Sequence, residues 1–240
     1  MSVIVNSASQ RPHRSAPLTS ITSGAPSVLT RLRLETRAEH DAVERVLDLM
    51  GRGITLKAYR QQLARFYGFY GPLEAALLSR FGQLTNQLAG DTSQWSVLPL
   101  RLQKTRLLLR DLQHLGMATE DLPLCRKLPP VQTQAEMLGC MYVMEGATLG
   151  GQLITRHVRA TLGVTAATGG AFFEGYADDT GKMWQAMRQL LVRRAVNGST
   201  EDAMVKSAIA TFASLRVWCD RSATAAPGCM SHLAQANQHA

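Results

Sequence analysis

Tyr142-Val143-Met144-Glu145-Gly146-Ala147-Thr148-Leu149-Gly150-Gly151-Gln152-Leu153-Ile154 lies inside a segment that otherwise reads as one helix from Thr133 to Leu162. Thr133 followed by Glu136 forms a capping box, and no proline interrupts the segment. Gly146, Gly150 and Gly151 fall in its middle, where each glycine costs about 1 kcal/mol relative to alanine. Gly146 and Gly150 lie one turn apart, so with Ala147 and Gly151 they leave a strip of the helix without side chains. Such a strip serves either tight packing against another helix or a flat ligand pressed against a bent one. What faces the strip decides between them.

Outward from this helix the chain reads as all-α. Toward the N-terminus, a helix is expected from Leu29 to Met50, stopped by Gly51. A longer one, from Thr55 to about Gly82, carries Tyr59, Phe66, Tyr67, Phe69 and Tyr70, an aromatic stripe that reads as core. Gly68, Gly71 and Pro72 are expected to bend it. Residues 83–96 are polar and turn-like, and a basic helix is expected over Val97–Leu115, ahead of the stop at Pro129-Pro130. Toward the C-terminus, helices are expected over Asp179–Val196 and Thr200–Ser222. There is no strand-like alternation and no internal repeat. The expected organisation is a disordered leader over 1–27, one helical domain over 28–222 and a flexible tail over 223–240.

Composition narrows the function. No apolar run is long enough for a transmembrane helix, so no membrane partner is expected. The four cysteines have neither CxxC nor metal-like spacing, which excludes a zinc or iron-sulfur reading and fits free thiols in a reducing, cytoplasmic setting. A net charge of +8 invites nucleic acid, but the arginines are dispersed over several helices with no long basic run. No nucleic-acid partner is expected, and a solvated basic surface is the simpler reading.

Among the histidines, His40 stands out by its company. Arg33, Arg37, His40, Glu44 and Leu47 share one helix face: two cations, an imidazole, then a carboxylate one turn on. A histidine with a glutamate at i+4 is ordinarily an ion pair. It is also the arrangement in which a carboxylate fixes the tautomer of a metal-bound imidazole. Arg33 and Arg37 are placed to meet ligand carboxylates. A heme satisfies both halves of the pattern, with iron on His40, propionates at the arginines and its other face against the glycines. The glycine helix offers no second strong axial ligand, which leaves a position open for O2.

Thr36-Arg37-Ala38-Glu39-His40-Asp41-Ala42-Val43-Glu44 and Tyr142 to Ile154 resemble the proximal and distal helices of biliverdin-producing heme oxygenases. The branch associated with bacteriophytochromes is the most similar, and Gly170–Tyr176 and Thr180–Trp184 resemble it too. The likeness runs from about Leu29 to Trp218. It implies an all-α, single-domain fold with heme sandwiched between the two helices. It also implies oxidative opening of heme to biliverdin, carbon monoxide and ferrous iron, using O2 and an external electron donor.

By the same resemblance, His40 is the proximal iron ligand and Glu44 its partner, while Arg33 and Arg37 stand where propionate-binding cations occur. Lys182 and Arg188 lie near the other cationic position, with the register between them open. Gly146 and Gly150 lie over the heme, Gly151 continues the bend, and Thr148 is a candidate for the distal polar network. One departure is Ala147, where mammalian-type members carry an aspartate. The implied partners are a ferredoxin- or flavodoxin-type donor, with a bacteriophytochrome apoprotein accepting the bilin. A non-catalytic heme-binding or heme-delivery protein on the same fold is the alternative reading. A heme-free relative of the same helical architecture, of the thiaminase or cofactor-biosynthesis kind, ranks below both.

Overall fold

A computed structural model describes residues 26–87 and 98–220 of the chain. The described residues form eight α-helices and three single turns of 3-10 helix, with no strand among them. The helices are α1 (Val28–Glu35), α2 (Arg37–Leu47), α3 (Leu56–Gln87), α4 (Lys104–His114), α5 (Gln134–Leu162), α6 (Ala171–Glu174), α7 (Thr180–Arg194) and α8 (Gly198–Cys219). The leader before residue 26, most of the polar stretch at 83–96 and the tail from 223 lie outside the described residues.

The single helix expected over Leu29–Met50 is two. The Thr36 hydroxyl donates to the Leu32 carbonyl at 2.6 Å, and the Thr36 N–H reaches the same oxygen at 3.2 Å. A threonine bonding back one turn disturbs the regular ladder, and the helix is interrupted at Thr36 between α1 and α2. The second piece ends at Leu47 because Asp48 adopts a left-handed conformation, with φ 44°. The basic helix expected over Val97–Leu115 is also corrected. Pro99–Arg101 form a 3-10 turn, and α4 starts afresh at Lys104, where the Glu74 carboxylate accepts the backbone N–H groups of Lys104 and Thr105 at 2.8 and 3.0 Å. Arg101 and Lys104, expected on a solvated face, are buried.

In α3 the proline acts differently from a simple break. Pro72 has no N–H, so the Gly68 carbonyl lacks its helical donor. Cys125 supplies one from outside at 2.8 Å. A side chain at position 68 would collide with the Pro123 carbonyl, so glycine is what lets that loop reach the helix. The aromatic stripe of α3 is core: Tyr59, Phe66, Phe69 and Tyr70 are buried, and Phe66 and Tyr70 pack on Phe172 at ring separations of 5.3 and 5.6 Å.

Helix α8 is the hub, packing against α1, α2, α3 and α5. Its crossing with α5 is close enough that a side chain at Gly139 would strike the Met204 carbonyl. Ser207 donates to the Glu136 carbonyl at 2.7 Å across the same crossing. On its other sides α5 carries α6 and α7. The capping box at Thr133 and Glu136 is formed, and α5 ends on Gly163 in a left-handed cap, as its sequence predicts.

Candidate active site

Helices α2 and α5 both lie on α8 and make at most a glancing contact with each other. Two bridges join them. At the near end the Tyr142 phenol lies beside Thr36 and in the field of Arg33; burial raises its pKa, and those two neighbours oppose the rise. At the far end His157 Nε2 lies 3.3 Å from the Gly51 carbonyl. About 20 Å of α5 separates the bridges, and the two chains run the same way between them. His40 is one turn beyond Thr36, and Gly146 is one turn beyond Tyr142. Imidazole and glycine strip are therefore level.

The strip is open. A Cβ added at Gly150 would meet no atom within 4 Å, and one at Gly146 would only touch Trp184 at 3.8 Å. Leu149 and Leu153 on the same side are 47% and 57% exposed. Glycines placed for internal packing have neighbours that a side chain would hit, and these two do not. An apolar groove floored by missing side chains is suited to a flat apolar body.

Gly151 is placed differently. A Cβ there would lie 2.5 Å from the Phe173 carbonyl, so this glycine admits α6 rather than a ligand. Thr148 also faces inward, buried, with its hydroxyl bonded to the Glu145 carbonyl. The small-residue helix thus uses both of its sequence readings, on different faces: packing at Gly139 and Gly151, an open floor at Gly146 and Gly150.

His40 has a half-exposed side chain whose ring stands edge-on to Phe212 of α8, 5.4 Å between centroids. Its Nδ1 faces two carboxylates, Glu44 and Asp41, each at 3.8 Å. That is ion-pair range rather than a formed hydrogen bond. Asp41, which the sequence reading passed over, stands as near as Glu44. Nδ1 is the ring nitrogen turned toward the two carboxylates, and Nε2 is the other.

The cations are uneven. Arg33 and Arg37 are exposed at the Tyr142 end, with Arg37 3.8 Å from Asp41. On α7, Arg188 is one turn beyond Trp184, the residue whose ring lies 5.6 Å from Tyr142. Arg188 also borders a surface cavity with Leu29, which is one turn from Arg33 on α1. Lys182 is highly exposed and paired with Asp179 at 3.0 Å. Of the two α7 cations, Arg188 is the one a turn from Trp184.

Behind the strip lies a group of charges that no sequence pattern announced. Arg101 donates to Glu145 Oε2 at 2.5 Å and to the Met183 carbonyl at 3.2 Å, and Tyr176 donates to Glu145 Oε1 at 2.8 Å. Glu145 immediately precedes Gly146, and Met183 immediately precedes Trp184. The start of the open strip and the tryptophan beside it are therefore held by one buried network. Burial, then the Glu145 charge, pushes the Tyr176 phenol well above its usual range, so it remains a donor.

No sequence match is found among curated proteins. By fold, the chain is similar to the NO- and CO-bound heme oxygenase from Neisseria meningitidis, with a TM-score of 0.66 and 20% identity over 85% of this chain and 95% of that one. It is similar to the heme oxygenase from Leptospira interrogans, with a TM-score of 0.63 and 21% identity over 81% and 99%. Heme oxygenase 2 from Chlamydomonas reinhardtii, solved without heme, gives 0.64 and 19% over 82% and 97%. At such identities the likeness establishes the fold. The heme oxygenase family model matches residues 27–221, nearly the whole helical domain and both walls of the groove. The chain belongs to the heme oxygenase family.

Proposed function

We propose that the groove between α2 and α5 holds the heme that this oxygenase opens to biliverdin, carbon monoxide and ferrous iron. The observation that carries the assignment is the open apolar strip at Gly146 and Gly150, level with a half-exposed His40. His40 supplies Nε2 to the iron while Glu44 and Asp41 hold the proton on Nδ1, which keeps the imidazole in the ligating tautomer. Arg33, Arg37 and Arg188 receive the propionates. Bound heme supplies the redox chemistry, with O2 and an external donor of electrons.

The chain's own part is position and exclusion. Gly146 and Gly150 bring backbone close to the open face of the ring, and Leu149 and Leu153 keep bulk water from it. The Thr148 hydroxyl spends its proton on the Glu145 carbonyl of its own helix, so it is no donor in place of the aspartate that mammalian-type members carry at Ala147.

The donor is an acidic protein of the ferredoxin or flavodoxin kind, which suits a chain of net charge +8. Turnover driven by such a donor is expected to fall steeply as salt rises; flat salt dependence would remove electrostatic docking. A bacteriophytochrome apoprotein as bilin acceptor rests on the sequence likeness alone. The cytoplasmic setting is supported by three free, buried cysteines, and no helix among the described residues is long and apolar enough to cross a membrane.

The decisive experiment is a hemin titration of the protein and of His40→Ala, followed by reductant in air. A one-to-one Soret complex, spectrally altered by the substitution, then conversion to a bilin, is the expected course. A wild-type complex whose spectrum is unchanged by His40→Ala would put the iron ligand elsewhere.

A further inference from the structure

The open strip is closed at one end. Tyr142, Gly146 and Gly150 follow one another at one-turn intervals on α5. Around a Cβ added at Gly146 the nearest atoms are Cη2 and Cζ3 of Trp184, at 3.8 and 4.0 Å, whereas one at Gly150 would meet nothing within 4 Å. The Trp184 ring packs on Tyr142 with 5.6 Å between centroids and a tilt of 46°. Both rings are half-buried and packed against the core. The indole is also held through its backbone. Arg101, itself paired with Glu145 of α5, donates to the carbonyl of Met183, the residue before it, at 3.2 Å. An aromatic wall therefore stands at the Gly146 end of the floor, while the Gly150 end is free.

We infer that Trp184 is the specificity residue of the reaction: its indole is the stop that holds heme in one rotational setting, and so selects which meso carbon is opened. The inference rests on the heme reading of the groove. The four meso carbons of heme differ little in chemistry, so the choice among them falls to the way the disc is turned. Its rim is apolar except at two adjacent propionates. The wall sorts these edges. The carbon edge of the indole, Cη2 and Cζ3, receives methyl and vinyl groups but offers a carboxylate no hydrogen bond.

Cations stand beside the wall. Arg33 acts on the Tyr142 phenol, and Arg188 is one turn from Trp184 along α7. A disc turned by a quarter would drive a propionate against the indole and take it from an arginine.

The test compares wild type with Trp184→Ala and Trp184→Phe, using hemin as the probe. In the ferric cyanide complexes, proton NMR shows each rotational setting as its own set of shifted heme-methyl lines. Wild type should give one dominant set, with any other below about 5%. In Trp184→Ala the minor settings should rise to about a third, roughly a tenfold change in ratio, and Trp184→Phe should fall between. Bilin isomers separated after a single turnover should follow the same proportions. Trp184→Leu serves if the alanine variant does not fold. Methyl lines and isomer ratio that are unchanged by loss of the indole overturn the inference and leave the heme site intact, as does a wild type that is already mixed. A wild type with no hemin complex overturns both.

Discussion

Arg101 and Glu145 form an ion pair with side chains only 8% and 2% exposed, and Glu145 is the residue before the first open glycine. Each charge has been removed from water, and each is held by more than the other: Arg101 by the Met183 carbonyl, Glu145 by the Tyr176 hydroxyl. A pair like this adds little over a well-packed apolar substitute, but taking one partner away leaves an uncompensated buried charge.

Arg101→Leu or Glu145→Leu alone should therefore lower unfolding free energy by about 3–5 kcal/mol. The double replacement should cost clearly less than the two single losses together. Denaturant unfolding of the four proteins measures it. Strictly additive losses would mean that the two charges act independently in the fold.

The two adjacent glycines of α5 should respond oppositely to alanine. Position 150 has nothing within 4 Å, so Gly150→Ala should gain up to about 1 kcal/mol of helix stability. The new methyl would stand on the floor of the groove, and heme oxidation should fall several-fold. Gly151→Ala brings a methyl to 2.5 Å from the Phe173 carbonyl and should destabilise the protein, because backbone must move. Thermal melting and hemin turnover, run on both variants, separate floor from packing. Stability losses of equal size would mean that position 150 is not open.

Much of this was legible in the chain because it is local. The capping box at Thr133, the glycine run and the shared face of His40 and Glu44 are patterns within a few turns of one helix. What the sequence reading lacked are relations between distant segments. That Gly139 rather than Gly146 admits α8 depends on where Met204 lies, 65 residues on. Arg101 looks like any surface arginine until Glu145 and Tyr176 are brought to it. Thr36 broke a helix that periodicity ran straight through, because a hydroxyl bonding back one turn leaves the apolar pattern untouched.

The three cysteines among the described residues should be unreactive in the folded state. Cys125, Cys140 and Cys219 are free and buried, and burial raises all three pKa values, with Cys140 and Cys219 pushed to about 12. The thiolate is the reactive form. In a disulfide-exchange dye assay at neutral pH these three should react only as the protein opens, and promptly in denaturant. Rapid native modification of any of them, located by peptide mapping, would contradict the packing around α8.

Lys104 sets an alkaline signature on stability. It is 5% exposed, with Nζ 5.7 Å from the Tyr70 ring centroid and 5.3 Å from that of Phe172. Burial lowers its pKa below 10.5, and the charges of Glu145 and Glu74 only partly offset this. Between the depressed folded value and 10.5 the unfolded chain binds more protons than the native one. Stability therefore gains from this lysine as pH rises through that window, with a limiting slope of about 1.4 kcal/mol per pH unit. Below the folded value both states are charged and the contribution is flat. Lys104→Met fills similar volume without the charge and should remove the slope. Urea unfolding of both proteins at intervals from neutral pH to 10.5 isolates the effect, since other titrating groups cancel in the difference. Parallel curves for the two proteins would mean that the folded lysine keeps its ordinary proton affinity, with the Glu74 and Glu145 charges balancing burial.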